Sequence, residues 1–118
     1  MSYVQGALIP VPAGNKQKYK DMCTRMASLF QEYGATQVVE NWGVDIPDGQ
    51  TTDMKRAVEA PGDETVVLSW VICPHRKRCD AATEKMRNDQ RMQSGDFPFD
   101  GRRMIFGGFE PMLDTKKG

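Results

Sequence analysis

The sequence predicts an α+β fold of ferredoxin-like β-α-β-β-α-β order, in which a four-stranded antiparallel sheet dimerises sheet-to-sheet. Three observations carry this expectation. Two amphipathic helical stretches alternate with four apolar, strand-like runs. The run Glu64–Cys73 is apolar on both of its alternating faces. Two helices lying on one side of a sheet can cover only one of those faces, so the other is expected to close against a second copy of the same sheet in a homodimer.

The composition sets the frame. A chain of 118 residues is expected to form one domain over 1–118 and to bury roughly two thirds of the surface that its unfolded form exposes. Charged residues make up 27%, with 16 basic against 16 acidic. A zero balance removes the usual electrostatic argument for a nucleic-acid partner. The apolar run Val4–Val11 is broken by Gln5 and Pro10 and has no charged segment before it, so neither a secretory signal nor a membrane span is expected. Cys23, Cys73 and Cys79 are odd in number and read as reduced thiols in a cytoplasmic protein.

The elements follow in order. Tyr3–Ile9 reads as a first strand, ended by Pro10 and Pro12. Asn15 is placed as the N-cap of a helix over Lys16–Tyr33, whose apolar face is Tyr19, Met22, Cys23, Met26, Leu29, Phe30 and Tyr33. Gly34 follows as its C′ residue. Thr36–Val44 reads as a second strand. Asp45–Asp63 has two prolines, two glycines and an acidic excess; it reads as a long surface excursion with a short helical turn or extra strand near Met54–Glu59. Glu64–Cys73 is the third strand, and Pro74 ends it. A second helix is expected from Arg76 to Asp89, with Cys79, Ala82 and Met86 inward, and Gln90–Gly95 forms a polar exit. A fourth strand runs from Arg102 or Arg103 to Glu110, and its Gly107-Gly108 pair implies the close approach of another backbone or a ligand. Asp114–Gly118 should fray.

These segments resemble the YbaA-like family of small bacterial proteins, a domain of unknown function in the dimeric α/β-barrel superfamily. The resemblance rests on Tyr3-Val4-x-Gly6, Asp45-x-Pro47-x-Gly49, Arg56-Ala57-Val58, Glu64-Thr65-Val66-Val67-x-Ser69-Trp70 and Pro98-Phe99-Asp100-Gly101-x-Arg103-Met104-Ile105-x-Gly107-Gly108-Phe109-Glu110, and it runs essentially end to end. It implies the fold, closed by the dimer into an α/β barrel, and a bacterial origin. It brings no catalytic residues. The wider superfamily holds cofactor-free monooxygenases, haem-degrading enzymes, isomerases and ligand-sensing domains, and fold alone does not choose among them.

Several residues are singled out for chemistry. His75, the lone histidine, is a candidate general base or anion contact at a helix start; the commoner alternative is an exposed first-turn residue. Cys73-x-His75-x3-Cys79 lacks a fourth ligand for zinc, and buried cysteines act as small hydrophobes, so no metal is expected. The acidic excursion lacks the spacing of a calcium loop; a contact with the basic stretch Arg76–Arg91 in the dimer suits it better. Trp42 and Trp70 could line a site for a small apolar or aromatic molecule, together with Ser69 and Arg103, although aromatic side chains are more often core. Glu40 and Arg103 sit at strand positions where a charge needs a partner: they could pair across the dimer or line a cavity. No phosphate loop, nucleophile elbow or dinucleotide motif is present, so no cofactor is expected. The function that these residues suggest is a homodimer that binds a small molecule near the barrel. The alternative is a cofactor-independent monooxygenase-like or isomerase-like enzyme, with His75 or Glu40 as base.

Overall fold

The computed structural model describes residues 2–92 and 97–117. Four strands form one open sheet: β1 (Tyr3–Pro12), β2 (Gln37–Trp42), β3 (Glu64–Cys73) and β4 (Ile105–Phe109). Their order is β2-β3-β1-β4, and every neighbouring pair is antiparallel. Three α-helices accompany them among the described residues: α1 (Lys16–Glu32), α2 (Met54–Ala57) and α3 (Arg76–Arg87). This is the mixed α+β architecture that the element order predicts.

Register assigns the side chains to two faces. Ser69 stands opposite Ala7 and Glu40, and Val67 opposite Ile9 and Trp42. Tyr19, Met22 and Cys23 of α1 pack with Ile9, Val11 and Val67 on this covered face, and the rings of Trp42 and Phe99 close around them. Beside that cluster, Cys79 of α3 packs with Val71, Cys73 and Ala35, and Gln5 Nε2 donates to the Thr83 hydroxyl at 3.1 Å. The other face presents Leu8 beside Leu68 and Ile105, and Gly6 beside Trp70 and Gly107. Among the described residues no long helix lies there. Leu68 remains 40% exposed, Ile105 44% and Phe109 58%.

The segment 45–63 lies over one end of that bare face. Met54 and Ile46 line a hollow against Val66 and Leu68, and Val66 and Val58 are fully buried. Asp53 organises this segment. Its Oδ1 accepts from the Arg56 backbone N–H at 2.8 Å as the cap of α2, and its Oδ2 accepts from Arg56 Nε at 2.8 Å and Gly49 N–H at 3.1 Å. The Arg56 guanidinium donates onward to the carbonyls of Thr51 and Gly49. The helical turn expected near Met54 is therefore α2, held by one carboxylate and one guanidinium.

Several expectations need correction. β1 runs through Pro10 and Pro12, which stay in register with Val66 and Glu64; pairing with β4 ends at Leu8, so little of the ladder there requires the missing N–H groups. Asn15 stands at the start of α1 but does not cap it: its amide donates to the Pro98 carbonyl at 3.0 Å, tying α1 to the aromatic loop. β2 is shorter than expected at both ends, and α3 stops at Arg87 with Asn88 as its C-cap. Gln90–Met92 forms a short 3-10 turn, and the rest of the polar exit, 93–96, lies outside the described residues. Gly101–Arg103 is another 3-10 turn capped by Asp100, so β4 begins only at Ile105.

The close approach that Gly107-Gly108 implies comes from a side chain of the same molecule. A Cβ on Gly108 would fall 1.6 Å from the Tyr3 hydroxyl oxygen. Cys73 and Cys79 are also not separate thiols. They form a disulfide, with Cα atoms 5.5 Å apart, that joins the end of β3 to the first turns of α3. Only Cys23 is a free thiol.

Candidate functional site

α1 crosses the covered face above β2, an edge strand of the sheet. On α1, steps of three and four bring Lys16, Tyr19, Lys20, Cys23, Thr24 and Ala27 to one side. On β2, alternation brings Val38, Glu40 and Trp42 to the same side. Between them lies a cavity of about 420 Å³, floored in part by Val67. This is the size range of small-molecule sites.

Glu40 is its chemical centre. The Tyr19 hydroxyl donates to Glu40 Oε2 at 3.5 Å, and the Cys23 thiol donates to Oε1 at 3.4 Å. Ser69, on the opposing residue of β3, faces the same side of the sheet, and its hydroxyl favours the ionised carboxylate. Burial pushes the Glu40 carboxyl above its ordinary pKa, and Ser69, Cys23 and Tyr19 only partly oppose this. Burial, followed by the nearby Glu40 charge, pushes the Cys23 thiol up to about 12. The same two causes hold the Tyr19 phenol well above the usual range. Tyr19 and Cys23 therefore keep their protons and serve Glu40 as donors. A thiol held in this way is a poor nucleophile at neutral pH.

Aromatic groups wall the cavity. Tyr19 and Trp42 have ring centroids 6.5 Å apart, and Phe99 meets Tyr19 edge-on at 5.7 Å. Phe97 leans on Phe99 from outside. Lys16 Nζ lies 5.7 Å from the Trp42 centroid at the rim.

The residues singled out from sequence divide accordingly. Glu40, Trp42 and Ser69 come together here. Trp70 does not: it pairs with Val39 and Gly6 on the bare face, so the two tryptophans lie on opposite sides of the sheet. Arg103 is not on a strand. Its guanidinium makes a two-pronged ion pair with buried Glu64, at 2.7 and 2.9 Å, and also bonds Asp100 at 3.2 Å and the Glu59 carbonyl at 2.8 Å. Its carboxylate partners are in its own chain, and Glu40 is not among them. His75 is the N-cap of α3, its Nδ1 accepting from the Arg78 N–H at 3.2 Å. Tyr19, Cys23, Lys16 and Lys20 read from sequence only as a helix face and its flank. The available signal was the polar border of that face, which matches a strand carrying one acid between Val38 and Trp42.

A larger depression of about 760 Å³ lies beside α2 and is lined by Asp48, Asp53, Lys55, Arg56 and Glu59. Asp53 and Arg56 there are already bonded to each other and to the loop, so they hold the segment together.

Comparison with known proteins places this geometry. A family model described as a protein of unknown function (DUF1428) matches residues 2–101. The "Uncharacterized protein YbaA" of Escherichia coli strain K12 is 47% identical over 116 residues, covering 97% of this chain and 99% of the relative. The proteins of that name from E. coli O157:H7 and Shigella flexneri match to the same extent. A match of this extent on a single sheet, from β1 through the aromatic loop beside the cavity, establishes that the chain belongs to the DUF1428 family, with the YbaA proteins as relatives.

Proposed function

We propose that this protein is a homodimer of ferredoxin-like topology that binds a small molecule in the cavity between α1 and β2. The observation that carries the reading is Glu40: a half-buried carboxyl, held by donors from Tyr19 and Cys23, in the wall of a cavity that Trp42 flanks. Taking a carboxylate out of water costs several kcal/mol, and an apolar residue would fill this position more cheaply. A ligand that uses the carboxylate accounts for its place.

The dimer is supported by the bare sheet face. Leu68, Ile105 and Phe109 are exposed side by side on paired strands, an arrangement that a second sheet would bury. A barrel closed by two such sheets leaves the α1–β2 cavity on its outer, helix-covered side.

Retained ligand and dimer mass are measured together by native mass spectrometry of protein purified without additives. A dimer with a reproducible extra mass, lost in Glu40→Gln, is the expected result. A bare monomer would sink both parts.

The second reading, a cofactor-independent isomerase-like enzyme with Glu40 as base, is favoured by the upward displacement of that carboxyl. It requires turnover of a carbon acid that Glu40→Gln abolishes. No helix among the described residues is long and apolar enough to cross a membrane. The reading places the protein in the cytoplasm, where the Cys73–Cys79 bond must survive reductant through its burial or else stand open. Alkylation in freshly lysed cells, read by intact mass, decides which.

A further inference from the structure

This inference takes the α1–β2 cavity as the binding site and so rests on the reading above. Lys16 and Lys20 both line the cavity and are both exposed. Among the described residues neither has an acidic partner within ion-pair distance. The first turn of α1 contains no acid, so neither charge is balanced by a carboxylate: Lys16, where the helix dipole already disfavours a cation, rests over the Trp42 ring, and Lys20 points to solvent. They do not relieve Glu40 either, whose position is set by burial and by neutral hydrogen-bond donors. The site thus has a cationic rim, an acid in its lining and the Trp42 ring in its wall beneath Lys16.

We propose that the cavity selects small flat carboxylates: aromatic or conjugated acids that carry one hydrogen-bond donor at the end remote from the carboxylate. Each part of such a molecule meets a feature of the site. The carboxylate lies between Lys16 and Lys20, which removes the repulsion of two like charges one turn apart. The planar body lies against Trp42, in the place that Lys16 Nζ leaves when it turns to the carboxylate. The remote donor reaches Glu40. An ionised carboxyl offers about four lone-pair sites; Tyr19 and Cys23 take one on each oxygen, which leaves room for a donor from the ligand. Amines are disfavoured at the rim, and neutral analogues lose the lysines.

The test is calorimetric titration of the full chain with 4-hydroxybenzoate, 4-hydroxybenzamide and tyramine at neutral pH. We expect the acid to bind about tenfold more tightly than the amide, the combined yield of two exposed charge contacts, and tyramine to bind more weakly than either. The Lys16→Gln/Lys20→Gln variant should lose the preference for the acid and keep the affinity for the amide. Both lysines are exposed, so this variant is expected to fold. Acid and amide binding equally well in both proteins would overturn the charge assignment while leaving the pocket reading intact. Trp42 fluorescence in the Trp70→Phe background locates the probes without altering the site. Quenching that saturates with the calorimetric isotherm supports the assignment; unchanged Trp42 emission during binding places the probes elsewhere and overturns it. No heat with any probe also overturns it, whereas the mass of a retained ligand still judges the pocket independently.

Discussion

The two faces of the sheet use similar apolar side chains for opposite ends. On the covered face, Ile9, Val11 and Val67 are sealed by α1, and the protein admits a carboxyl, a phenol, a thiol and a hydroxyl into the same layer. On the bare face the rows that β1 shares with both β3 and β4, from Val4 to Leu8, are apolar or glycine, and Leu68, Ile105 and Phe109 remain open to solvent. Polar groups are tolerable where helices and hydrogen-bond donors surround them. A flat apolar surface without them suits association. The candidate cavity and the exposed apolar surface are thereby separated by the thickness of one sheet.

The sharpest way to break that comparison is to charge the bare face. Leu68→Asp places a carboxylate at the middle of β3, flanked by Leu8 and Asn41. A charge buried without a partner costs about 3–5 kcal/mol, so the proposed dimer should weaken by roughly a hundredfold to several thousandfold. Sedimentation equilibrium should show a folded monomer, because the position is already 40% exposed in the isolated chain. A dimer of unchanged affinity would show that association uses another surface.

Arg103→Ala asks whether the guanidinium singled out from sequence serves a ligand or the fold. Arg103 is 23% exposed and pairs with Glu64, which is 8% exposed. Removing it strands a nearly buried carboxylate and releases the Glu59 carbonyl, where the backbone is in the left-handed region at φ 53°. A loss of about 1–3 kcal/mol is expected in urea unfolding, with ligand affinity unchanged. Lost affinity at full stability would return Arg103 to the binding site.

Much of this fold was legible because periodicity reports burial. The steps of three and four in Lys16–Tyr33, the two apolar faces of Glu64–Cys73 and the prolines around them fixed the elements to within a few residues. The site was half legible. Glu40 stood out as an acid inside an apolar strand, and Trp42 as its neighbour. Their partners did not, because Tyr19 and Cys23 fit an apolar helix face, and only the crossing of α1 over β2 turns them toward the carboxyl. Trp70 misled because strand parity places a residue on one of two faces without saying which face holds the site. Cys73 and Cys79 misled because a spacing of six within apolar positions reads as core, and their pairing depends on how sharply the chain turns from β3 into α3.

The smallest effects lie in the pH dependence, where the two carboxylates that anchor these regions should behave oppositely. Glu40 is raised by burial, so the stability tied to its protonated form is complete below its unfolded pKa, roughly 4.3, and is lost as pH rises through the higher folded value. Glu40→Gln should therefore gain on the parent from acid toward neutral pH while losing ligand binding. Asp53 is held near 2, chiefly by the backbone N–H groups of Arg56 and Gly49. Its contribution is present above its unfolded pKa of about 3.9 and is lost as pH falls through 2. Asparagine can keep the cap to the Arg56 N–H but sets an NH2 against the Arg56 Nε and Gly49 N–H donors, so Asp53→Asn should lower the neutral melting temperature by a few degrees. It should remove the acid-induced loosening of segment 45–63, read by hydrogen exchange at its amides between pH 4 and 2. If both variants tracked the parent at every pH, neither carboxylate would differ in environment between the folded and unfolded chain. If their slopes changed with the same sign, the contrast between a buried acid facing a cavity and an acid tied to its own backbone would fail.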